Sequence, residues 1–135
     1  MSDIKDLQMI EKIRGFRVSK KRKKVALIEG TIARLQTEII QINNKIKTGQ
    51  EHFRDEKKTI LEHLMRQRSN VDALFTLQKK ELLEQKRVGD ALKERGGKEE
   101  DMSNKEHAHR LELKALWESE KALLKIEELV KMEVR

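Results

Sequence analysis

From Val25 onward, aliphatic side chains recur at Val25, Ile28, Ile32, Leu35, Ile39, Ile42 and Ile46, in alternating steps of three and four. Such steps average about 3.5 residues, the spacing that keeps one stripe of an α-helix facing a partner helix, so the segment reads as a coiled-coil seam. The register continues through Gly49, Phe53 and Ile60, with the polar Glu56 at one seam position. Nearer the N-terminus, Ile4, Leu7, Ile10 and Ile13 form a shorter stripe. A basic stretch joins the two, and Val18 is its only aliphatic from residue 17 to 24.

The pattern is punctuated at LMRQRSNVDALF. Arg66 and Arg68 suit a helix C-terminus, where the dipole favours cations. Ser69 followed by Asp72 is a capping-box arrangement that would satisfy free N–H groups of a new helix. The expected turn is therefore near residues 67–71, between a first helix over about 3–67 and a second over about 70–134. Val71, Leu74, Phe75, Leu82, Val88 and Leu92 continue less regularly. A cleaner stripe follows at Leu113, Leu116, Leu123, Val130 and Val134, widened by Trp117 and Leu124.

Gly96-Gly97 cost a helix roughly 2 kcal/mol relative to alanines, and Ser103 with Glu106 is a second capping pair. The second helix could thus kink or break over 95–103. The rival fold is a three-helix bundle with turns near 49 and 96. Because the seam keeps register through Gly49, the expected class is all-α, a long antiparallel two-helix coiled-coil hairpin forming one unit over 1–135. A helix of about 65 residues would span about 100 Å.

Composition fits an extended helical pair better than a compact core. Of 135 residues, 36% are hydrophobic and 41% charged, with three Phe, one Trp and no Tyr. There is no Pro to interrupt a helix. Without Cys, disulfides and thiol chemistry are excluded. The start MSDIKDLQMIEKI lacks the apolar core of a secretory signal, and no window is apolar enough to span a bilayer. A cytoplasmic location without membrane insertion is the expectation. The net charge of +7 is uneven: residues 1–69 carry 17 Lys/Arg against 9 Asp/Glu, and residues 70–135 carry 14 against 15.

No catalytic constellation emerges. No glycine-rich phosphate cradle leads into Lys-Ser/Thr. His107 and His109 stand two apart, which turns them to different sides of a helix, so no metal site is expected. Pairs such as Glu127-Glu128 are ordinary on a charged helix and lack the apolar pocket that acid–base chemistry needs. The expectation is a non-enzyme with no cofactor and no small-molecule substrate.

The stretch GFRVSKKRKKVALIEG admits three readings: a solvated helix face, a nucleic-acid contact, or docking on an acidic protein surface. No aromatics interleave to stack bases. The longer pattern IEKIRGFRVSKKRKKVALIEG, with Phe16-Arg17-Val18 followed by Lys20 and Lys24, resembles the N-terminus of the YscO/FliJ family, the stalk proteins of bacterial type III secretion and flagellar export. HFRDE at 52–56, the mid-chain turn and LLKIEELVKME at 123–133 are similar as well.

The resemblance implies a helical hairpin whose paired ends enter the pore of a hexameric secretion ATPase. Arg14, Arg17, Lys20, Lys21, Arg22 and Lys24 would face acidic loops of the ring. The remainder would reach the export gate's cytoplasmic domain, through Phe53 and Phe75, and could bind escort chaperones. It also implies a place beside the inner-membrane export apparatus and a role in virulence. A turn at 67–71 sets residue 20 roughly opposite 119, beside Glu118 and Glu120. The other readings are a basic coiled-coil adaptor on nucleic acid and a small hairpin that grips unfolded clients.

Overall fold

The computed structural model describes residues 2–66 and 71–134. They form two α-helices, α1 (Ser2–Arg66) and α2 (Val71–Val134), with no strand among the described residues. Asp3 and Asp72 lie in the first turns, and His63, Arg66 and Lys131 in the last, which sets acids and bases against the helix dipoles. The helices pack antiparallel, as the fold class required: Arg14 meets Ala122, Glu29 meets His109, and Glu56 meets Lys80. The connection expected at 67–71, with Ser69 of the capping pair, lies outside the described residues except for Val71.

α2 passes through Gly96-Gly97 without leaving the helix, so neither a break at 95–103 nor a turn near 49 occurs. The residues flanking the glycines explain this. The Arg95 guanidinium donates to the Asn43 side-chain oxygen at 2.9 Å, and the Lys98 ammonium stands 2.9 Å from a Glu38 carboxylate oxygen. Tertiary contacts on both sides of the pair override a local propensity cost of about 2 kcal/mol.

The contacts divide into two compact units, Met1–Arg34 with Met102–Arg135, and Leu35–Asp101. In the first, Val18, Val25 and Ile126 are buried. Ile28, Ile32, Leu116, Leu123 and Val130 are half-buried beside them. In the second, Leu35, Ile42 and Leu77 are buried, flanked by half-buried Ile39, Ile46, Phe53 and Val88.

One expected core residue is misplaced. Leu113 is 41% exposed, and Trp117, Leu124 and Val134 also point outward. The inward stripe of α2 runs 112, 116, 119, 123, 126, 130, alternating four and three. Leu113 falls one position off that alternation, so Glu112 takes the seam side and the leucine turns to solvent.

Candidate docking surface

The basic stretch is helical because nothing in it opposes a helix, and Val18 and Val25 fix how it rotates. Both are seven apart and buried, at 2% and 6% exposure. The side chains between them must therefore fan out to either side of the seam.

The six cations expected to act together do so only in part. Arg17, Lys20, Lys21 and Lys24 line one hollow of about 330 Å³ in the first unit, with Glu112 and Ala115 supplied by α2. Lys24 stands 2.9 Å from Glu112. Among the described residues, Arg17, Lys20 and Lys21 have no acidic partner, so four cations share one carboxylate.

Arg22 is turned to the other flank and pairs with Glu120 at 3.2 Å. Arg14 occupies a seam position, where its half-buried guanidinium donates to the Ala122 carbonyl at 2.8 Å. That bond ties α1 to α2 and leaves Arg14 less available to a partner. Glu118 is exposed.

The sequence reading missed Glu112. The register could have found it, because the same antiparallel offset that sets Arg14 against Ala122 sets Lys24 against Glu112. It also missed that Phe16 and Trp117 are open to solvent, at 71% and 64% exposure. The Lys121 ammonium sits over the Trp117 ring, 4.5 Å from its centre.

The second unit handles its charge differently. The seam of α2 carries Glu81, Glu84, Arg95 and Lys98, and long side chains reach across to α1. Lys80 meets Glu56 at 2.7 Å, Lys57 meets Glu81 at 3.0 Å, and Lys98 meets Glu38 at 2.9 Å. Arg87 donates to both oxygens of Glu84, at 2.9 and 2.6 Å, and to the Lys45 carbonyl at 3.4 Å. It lies over Gly49: a methyl group there would collide with the Arg87 guanidinium.

The Lys80 hydrogen bond holds the Glu56 carboxyl below its ordinary value, and Arg87 does the same for Glu84. Arg87 is raised in return. Phe53 and Phe75 do not share a surface. Phe53 is half-buried in a shallow groove with Val88 and Leu92, whereas Phe75 is 65% exposed elsewhere on the unit.

No group of three or more His, Asp or Glu that could hold a metal occurs among the described residues. Among the described residues, no helix is long and apolar enough to cross a membrane. The fold and surface together define a two-helix coiled-coil pair with a concentrated basic face. No protein-family model, no curated protein and no solved structure matches this chain.

Proposed function

We propose that the protein is a non-enzymatic stalk of a type III secretion export apparatus. It would insert its terminal unit into the pore of a hexameric secretion ATPase and assemble or stimulate it. The observation that carries this reading is the hollow of Arg17, Lys20, Lys21 and Lys24, in the unit that holds both ends of the chain. Cations that outnumber their carboxylate partners on a helical pair can engage acidic loops from several subunits without a fitted pocket, because charge attraction is long-ranged and non-directional. The resemblance of residues 10–30 to the YscO/FliJ family supplies the identity of the ring. The second unit would then face the export gate, with Phe53 as its apolar contact, and could receive escort chaperones. The protein would act in the cytoplasm, beside the inner-membrane apparatus.

Reversing Arg17, Lys20 and Lys24 to Glu should weaken ATPase binding by more than about tenfold and abolish stimulation. All three are exposed, and the one pair lost, Lys24–Glu112, is a surface pair worth less than about 1 kcal/mol. Helical content should therefore stay unchanged by circular dichroism. Undiminished stimulation would remove the reading. A nucleic-acid adaptor would use the same cations, and would show itself by RNA or DNA affinity that falls steeply with salt.

A further inference from the structure

The side of α1 opposite the buried Val18 carries a second feature. Met9, Ile13, Phe16 and Leu27 stand open there, at 63, 47, 71 and 73% exposure. At about 3.6 residues per turn all four fall on one side of the helix, Met9, Ile13 and Phe16 consecutively, with Lys20 and Lys23 on the same line before Leu27. The ridge faces away from α2, so pairing with α2 does not account for it. Lys5 and Lys12 run along one side of it, Arg17 and Lys24 along the other, and Lys20 and Lys23 fill the line between Phe16 and Leu27. All six are exposed. Among the described residues only Lys24 of these has an acidic partner, Glu112. From Lys12 to Ile28 the chain contains no Asp or Glu.

We propose that this ridge lies on an anionic lipid surface. Ile13 and Phe16 sit at the boundary between headgroups and acyl chains, with Met9 and Leu27 beside them. The six cations occupy the phosphate layer. A helix with an apolar line between basic flanks binds in the plane of such an interface. Lysine and arginine stems can lie along apolar material while their heads reach the phosphates.

The arrangement favours a bilayer over an acidic protein because cations border the apolar line on both sides. A flat charged plane presents anions to both flanks at once. Ile13, Phe16 and Leu27 project from the helix, while Met9 borders a hollow of about 600 Å³ with Lys5, Lys12 and Val130 of α2. Since no helix among the described residues is long and apolar enough to cross a membrane, the contact is adsorption. Each cation drawn to the surface strengthens binding by roughly fivefold. The inference stands on the ridge itself and does not depend on the secretion reading.

The test is flotation of the full chain with phosphatidylcholine vesicles, with and without phosphatidylglycerol. Binding is expected only with the anionic lipid, and should vanish in 1 M salt, where the screening length falls to about 3 Å. The double variant Ile13→Ser, Phe16→Ser should bind more than tenfold more weakly at unchanged helicity, since both side chains are exposed. A Phe16→Trp reporter in a Trp117→Phe background should shift to blue emission on anionic vesicles. The native Trp117, on α2 and away from the ridge, should not. Failure to float, flotation indifferent to the double variant, or a reporter that stays in water would each overturn the proposal. Binding to a hexameric secretion ATPase without vesicle binding would also overturn it, while leaving the stalk reading intact.

Discussion

The two units use the same kinds of residue for opposite ends. The unit of Met1–Arg34 and Met102–Arg135 carries 17 Lys/Arg against 11 Asp/Glu, a net of +6. The Leu35–Asp101 unit carries 14 against 13, a net of +1. In the second, charges are placed in or beside the seam and answered across it, at Glu56–Lys80, Glu81–Lys57 and Glu38–Lys98. In the first, Val18, Val25 and Ile126 make a mostly apolar seam, and the surplus cations turn outward. Abundant charge says little about binding where it is paired internally. It becomes informative where the fold leaves it unanswered, as at Arg17, Lys20 and Lys21.

The sharpest way to break the contrast is to test whether an apolar seam holds the first unit. Ile126 is 3% exposed. Ile126→Ala removes buried methylenes and leaves a cavity that two helices can only partly close, so it should cost about 3 kcal/mol. Leu113→Ala, on the solvent side, should cost less than about 1 kcal/mol. Urea unfolding followed by helical circular dichroism measures both. Equal costs would mean that the stripe containing Ile126 is not the one that packs.

That contrast also marks where the sequence was legible. On α1 one face is aliphatic at every turn from Val25 to Ile46, so only one rotation buries it, and the structure adopts that rotation. On α2 leucines occupy several faces, and two stripes one residue apart compete near its C-terminal end. The choice between them is made by Ile126 and by the small Ser119, Ala115 and Ala122, which let α1 come close. These are weak signals beside Leu113, Trp117 and Leu124. The basic hollow was legible as a cluster of cations, but its asymmetry was not. Which cations converge depends on the rotation of Val18 and on Glu112, a residue nearly ninety positions away in the chain. The Gly96-Gly97 pair misled for a related reason: Arg95 and Lys98 find partners on α1 that no local propensity records.

The glycines offer a finer test, because they meet different surroundings. A methyl group at Gly96 or Gly97 would meet nothing within 4 Å. Gly96→Ala with Gly97→Ala should therefore raise stability by about 2 kcal/mol, through helix propensity and a less disordered unfolded chain. Gly49→Ala gains the same increment of about 1 kcal/mol but displaces the Arg87 guanidinium. That loosens its bonds to Glu84 and to the Lys45 carbonyl. A half-buried arrangement of this kind is worth about 1 kcal/mol, so the net change at Gly49 should be near zero. A full gain at Gly49 in thermal melts would show that Arg87 contributes nothing across the seam.

The smallest expected effect is the response to acid, and it separates the units by mechanism. In the Leu35–Asp101 unit, Glu56 and Glu84 sit below their ordinary value of 4.5 because Lys80 and Arg87 hydrogen-bond their charged forms. A carboxyl whose pKa is lower folded than unfolded binds fewer protons when folded. It therefore adds stability above the unfolded value, and that contribution fades as pH falls through the folded one. Glu56 is substantially exposed and Glu84 half-buried, so water and salt screen the effect more at Glu56 than at Glu84. Amide exchange at Leu77–Val88 should accelerate as pH drops below about 4.5 once intrinsic exchange is corrected for. Glu56→Gln and Glu84→Gln should each flatten that slope while lowering protection at neutral pH. If the slope survives both substitutions, the Glu56–Lys80 pair across the seam and the Glu84–Arg87 pair within α2 are bystanders, and the scattered aliphatics hold the second unit together.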